Sequence, residues 1–134
     1  MTNTSKWLAA AVLGSALTLP GIAAANADLE KLIADPNNWA MQAGDMYNQR
    51  YSKLTQITPD NVRQLTLAWA FQTGQTQQIK ATPILVNGII YITTPDNIWA
   101  IDARSARQLW RYTYPANQGF HIGHRGAAVY KNSV

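Results

Sequence analysis

Hydrophobic and polar positions change rhythm twice along the chain. The first stretch is almost unbroken apolar sequence, "WLAAAVLGSALTLPGIAAA", behind a single cation, Lys6. Gly14 and Pro20 interrupt it, so no uninterrupted run reaches the ~20 residues of a membrane span. "ANA" at Ala25–Ala27 fits the small-x-small rule for leader cleavage, which predicts a signal peptide over residues 1–27 and a mature chain from Asp28. An uncleaved anchor is the competing reading. Leu29, Leu32 and Ile33 then fall on one face of a short helix that Pro36 ends. Residues 37–58 are rich in Asn, Gln, Ser and Thr with isolated aromatics, as in an irregular lead-in. At "TPDNVRQL", Thr58 as N-cap and Pro59 at the first helical position predict one or two helical turns.

From Leu65 the period drops to two. Leu65, Leu67, Trp69 and Phe71 share one side of a predicted strand that Gly74 closes. "TPILV" and "IIYITT" flank Asn87–Gly88, a strong hairpin signal because both residues tolerate the positive φ of a type I′ turn. "NIWAID" and "RQLWRYTY" add two strands joined by "ARSA", so Thr82 to Tyr114 reads as an up-and-down four-stranded sheet. A repeat underlies this: "LAWAF" around Trp69 returns as "QLWRY" around Trp110, 41 residues on, and "ILVNGII" from Ile84 returns as "AVYKNSV" from Ala128, 44 residues on. Repeats of ~40–45 residues with four short strands each mark β-propeller blades, favoured here over a β-sandwich.

Composition narrows the chemistry. Of 134 residues, 11 are Lys or Arg and 7 Asp or Glu, a net charge of +4 with no basic block, which gives no footing for nucleic-acid binding. Without the leader, ten cations face seven carboxylates. There is no cysteine, so disulfides and thiol chemistry are excluded. His121 and His124 stand at i and i+3, but a metal needs a further ligand and the chain has no third histidine. A loop or surface role is the better reading of both.

The stretch "NNWAMQAGDMYNQRYSKLTQITPDNVRQLTLAWAFQTG" resembles the N-terminal region of the pyrroloquinoline-quinone (PQQ) dependent alcohol dehydrogenases. The matching residues are Asn38, Trp39, Met41, Asn48, Arg50, Tyr51, Ser52, Leu54, Gln56, Ile57, Asn61, Val62, Leu65, Ala68, Trp69, Phe71, Thr73 and Gly74. "AIDARSARQLW" resembles the family's tryptophan-docking motif A-x-D-x-x-T-G-x-x-x-W, with Ala100, Asp102 and Trp110 in place and Ser105-Ala106 where the family has Thr-Gly. Alanine lacks glycine's freedom in the left-handed region, so strain on the order of 1 kcal/mol is expected in that turn.

The resemblance implies an all-β fold, part of an eight-bladed propeller, with the first blade at 82–114 and the next begun at 125. A lead-in at 28–64 precedes the incomplete propeller of 65–134. It also implies cofactor positions. The family's glutamate three residues before the strand-opening proline is Lys80 here, read either as a contact to a quinone carboxylate or ortho-quinone oxygen or as a solvated edge lysine. The family's C-C-D-x-x-N-R-G is matched by "GFHIGHRG": Arg125 aligns with the arginine that holds the quinone oxygens, Phe120 could cover the ring, and both cysteines are absent. A surface arginine is the bland alternative for Arg125.

By family, the whole protein would be exported to the periplasm and oxidise alcohols with PQQ and a calcium or lanthanide ion, passing electrons to a cytochrome c. Its metal ligands and catalytic aspartate are expected in later blades, so this chain alone is expected to be inactive and poorly stable. A non-catalytic PQQ-like-repeat scaffold is the alternative.

Overall fold

The computed structural model describes residues 26–74, 79–114 and 125–134. The leader up to Ala25, and Phe120, His121 and His124, lie outside the described residues.

A single antiparallel meander dominates: β1 (Ile84–Val86), β2 (Ile89–Thr93), β3 (Asn97–Asp102) and β4 (Gln108–Thr113), in the spatial order β1-β2-β3-β4. This is the four-stranded sheet that the period-two pattern predicts. Asn87 and Gly88 take φ of 50° and 78°, the left-handed pair that a type I′ hairpin needs, and Val86 faces Ile89 across it. Ile84 (1% exposed), Trp99 (2%), Ala100 and Ile101 (both 0%) form the buried middle, while every residue of β4 is exposed.

The lead-in clasps the inner edge of this sheet. Helix α1 (Ala27–Ala34) is capped by the Asn26 side chain, which accepts from the Leu29 N–H at 3.3 Å. Its Leu29 and Leu32 pack onto the cluster of Ala40, Ile84 and Val86. Trp39 pairs with Leu85 through two backbone hydrogen bonds of 2.8 and 3.0 Å, which adds one bridge to the free edge of β1. Beneath its ring lies Gly44 (φ +85°), where a Cβ would stand 2.8 Å from Trp39 Cη2. The Asn38 carboxamide oxygen accepts the Asn87 N–H at 2.8 Å, tying the lead-in to the β1–β2 turn.

Two local expectations are corrected. Around Thr58 the side-chain cap is reversed: Asn61 Oδ1 accepts the Thr58 N–H at 2.8 Å and Asn61 Nδ2 donates to the Gln56 carbonyl at 2.7 Å. The helix there is a single 3₁₀ turn, Val62–Gln64, because the Asn61 amide can close the loop from both sides. Residues 65–74 form no ladder. Trp69 and Phe71 are half-buried against the sheet, whereas Leu65 (59%) and Leu67 (83%) are exposed. Alternation alone builds no strand without a neighbouring edge to accept its hydrogen bonds.

The repeat is geometrically real. Tyr130 bridges Ser133 just as Val86 pairs with Ile89, 44 residues earlier. Lys131, in the position of Asn87, has φ of 52° against 50°. Ala127 and Val129 pack on the Ala40–Ile84–Val86 cluster, so the second unit begins against the inner side of the first.

Candidate functional site

The meander has two ends, and its antiparallel register sorts the interesting residues between them. One end carries the approach to β1, the β2–β3 turn and the close of β4. The other carries the β1–β2 and β3–β4 turns.

Lys80 and Arg125 belong to the first end, and both are exposed. Each leads into a segment that feeds the inner edge of a blade. These segments touch at Gly126 (φ +127°), where a Cβ would stand 3.1 Å from the Thr82 carbonyl oxygen. That close approach brings the backbone beside Arg125 within two residues of Lys80. Two cations on adjoining segment starts are a donor set suited to carboxylates and to quinone oxygens, so the residues present fit an anionic quinone. Among the described residues no group of three or more His, Cys, Asp or Glu could hold a metal ion.

The same end holds a polar knot that the sequence pattern did not reveal. Asn97 is fully buried, and its Oδ1 accepts from Arg111 Nε at 2.6 Å and from Thr113 Oγ1 at 2.8 Å. Its Nδ2 donates to Asp96 Oδ1 at 2.5 Å, an oxygen that also accepts from Thr94 Oγ1 at 3.2 Å. The Arg111 guanidinium lies 5.3 Å over the Trp99 ring, which meets Phe71 edge-on at 6.4 Å. Tyr114 closes the turn by donating its hydroxyl to the Thr94 carbonyl at 3.2 Å. Burial and, next, the Asp96 charge raise its phenol above the usual value. The one available signal was an asparagine opening an otherwise apolar strand, "NIWAID".

The opposite end is where the 65–74 segment is stapled to the blade. Asp102 Oδ1 accepts the Ser105 and Arg104 N–H groups at 2.8 and 3.1 Å, and the Ser105 hydroxyl at 2.7 Å. The Ser105 side-chain bond, then its backbone bond, hold the carboxyl below the usual range. Ala106 has φ of 58°, the left-handed conformation that glycine adopts freely. Ala100 is fully buried beside this turn's strand. Trp110 rests on Tyr91 at 6.0 Å and is 42% exposed. Its repeat partner Trp69 supplies the staple: the Trp69 indole N–H donates to the Ala103 carbonyl at 3.0 Å, from 34 residues away. Sequence reasoning found the Trp69–Trp110 repeat without assigning this bond to Trp69.

The fold has known relatives. A family model for the β-propeller domain of glucose/ethanol/alcohol dehydrogenases (PQQ) matches residues 39–134. The quinohemoprotein alcohol dehydrogenase ADH-IIG of Pseudomonas putida is 41% identical over 144 residues, covering 96% of this chain and 20% of that protein. A lanthanide-dependent methanol dehydrogenase of Methylorubrum extorquens is 37% identical over 103 residues, covering 75% and 17%. A europium-containing methanol dehydrogenase structure superposes with a TM-score of 0.63 at 35% identity, covering 69% of this chain and 17% of its own. The chain thus spans about a fifth or less of the length of these relatives. One blade with its tryptophan staple, a second blade begun at the same repeat, and a family match across both place the chain in the PQQ-dependent family of alcohol dehydrogenase β-propellers.

Proposed function

We propose that this chain forms the opening of an exported quinoprotein that oxidises alcohols or related hydroxyl substrates, with Arg125 and Lys80 as its contacts to PQQ. The observation that carries this reading is the Gly126–Thr82 approach, which sets the two cations on adjoining segments at one end of the sheet. When bound, PQQ supplies a two-electron acceptor for the substrate's hydrogen. The chain's own part is to bind and orient it. Arg125 offers a planar fork of donors to the quinone oxygens, and Lys80 a point charge to a carboxylate. Phe120, outside the described residues, is the proposed apolar cover of the ring in place of a disulfide. A calcium or lanthanide ion, the residues that hold it and the catalytic base belong to later blades. Export to the periplasm through a cleaved leader and electron transfer to a cytochrome c complete the proposal. Among the described residues no helix is long and apolar enough to cross a membrane.

Among the described residues β4 is exposed along its whole length and no group of carboxylates could hold a metal ion, so the chain alone is proposed to be inactive. Titrating it with PQQ and calcium should give neither saturable binding nor alcohol oxidation, and saturable binding would refute this point.

A second reading, a non-catalytic propeller scaffold, draws on Lys80, a cation where the dehydrogenases use a glutamate. DNA sequence beyond codon 134 separates the two. A continuing frame with metal-ligand and base carboxylates supports the enzyme, and blades lacking them support the scaffold.

A further inference from the structure

The proposed cleavage site and helix α1 overlap. Leader cleavage after "ANA" puts the scissile bond between Ala27 and Asp28, and α1 starts at Ala27, so that bond lies in the helix's first turn. Asn26 has extended backbone (φ −61°, ψ 94°); its side chain caps the Leu29 N–H and its carbonyl accepts the Glu30 N–H at 3.0 Å. Leu29 and Leu32 anchor the same helix on Ala40, Ile84 and Val86 of the sheet cluster. Proteases bind their substrates extended across the scissile bond, and a docked helical turn denies them that shape until it opens.

We propose that cleavage by a signal peptidase and docking of α1 compete for Asn26–Asp28, so that the chain is processed only while α1 is open. The proposal rests on the assignment of residues 1–27 as a cleaved leader. One water is consumed: the C–N bond of Ala27–Asp28 breaks, the new carboxylate stays on Ala27 and the new ammonium on Asp28. Cleavage therefore has a structural consequence. It removes the Asn26 cap and leaves a positive charge at the positive end of the helix dipole, both of which weaken the first turn. Processing thus converts a capped helix into an uncapped one, and α1 of the mature protein frays ahead of the sheet.

Asn26 makes this testable because it is the middle residue of Ala25-Asn26-Ala27, the position the small-x-small rule leaves free. Its side chain is read by the helix and not by the peptidase. The chain, carried as the opening of a hybrid with the rest of the Pseudomonas putida ADH-IIG enzyme so that the ring can close, is incubated in detergent with a purified signal peptidase as wild type, Asn26→Ala and Asn26→Asp. Peptides of residues 15–31 carrying the same substitutions serve as unfolded controls, and products are assigned by mass spectrometry. All three peptides should be cut at Ala27–Asp28 at equal rates, and the folded wild-type chain at least about tenfold more slowly than its peptide. Folded Asn26→Ala should be cut roughly fivefold faster than wild type, matching a lost cap. Asn26→Asp keeps a cap and should track wild type. A folded chain cut as fast as its peptide, or an Asn26→Ala chain cut at the wild-type rate, overturns the competition while leaving the leader intact. Peptides left uncut at Ala27–Asp28 overturn the leader assignment and the proposal with it.

Discussion

Ala106 and Thr93 each hold an unfavourable arrangement that one substitution relieves. Ala106 sits at φ of 58°, where its Cβ crowds the following carbonyl. Ala106→Gly should raise unfolding free energy by up to about 1 kcal/mol, read as a higher denaturant midpoint at unchanged slope. Thr93 is 2% exposed and its hydroxyl has no hydrogen-bond partner among the described residues. Thr93→Val keeps the shape and removes the stranded hydroxyl, so it should stabilise by about 1 kcal/mol; a destabilisation would show that the hydroxyl has a partner. Asp102 adds a pH dependence. Its carboxyl titrates lower in the folded chain than in the unfolded one, so its contribution is full above the unfolded value near ~4 and fades as pH falls through the lower folded value. The Arg104 and Ser105 amide resonances should shift together in that acid window, and Asp102→Asn should abolish the shift.

At the scale of elements, the two repeat tryptophans should behave differently despite their shared motif. Trp69→Phe loses the indole bond to the Ala103 carbonyl and should cost about 1 kcal/mol. Trp110→Phe only trims the indole of a side chain that is 42% exposed and should cost a few tenths at most, by thermal unfolding of the 134-residue chain. The hairpin and meander were legible because their cause is local: Asn87-Gly88 fixes a turn, and alternation fixes which faces are buried. The strand expected at 65–74 was illegible for the opposite reason. Its apolar alternation is real, but a strand needs a partner edge, which no local pattern reveals. The polar knot on Asn97 escaped for a related cause: its partners lie 14 and 16 residues away on β4 and converge only through the β3–β4 register.

For the whole molecule, the family was the most legible feature, because the motif runs through the lead-in, the blade and the docking turn. The proposed cofactor contacts were legible only as alignments. The structure adds that Lys80 and Arg125 open adjoining segments at the end away from the tryptophan staple. The lead-in bridges the β1 edge through Trp39, so Gly44→Ala, whose Cβ would strike Trp39, should loosen that edge and cost about 2 kcal/mol. The quinone reading itself is tested most directly in a closed ring. Replacing the matching fifth of the Pseudomonas putida ADH-IIG enzyme with this chain gives a hybrid whose PQQ affinity can be titrated spectroscopically. The hybrid should bind PQQ, and Arg125→Ala should weaken that binding roughly 10–100-fold through the loss of charge-assisted hydrogen bonds. A hybrid that folds with the parent's thermal stability yet binds no PQQ, or binds it equally well without Arg125, would contradict the assignment.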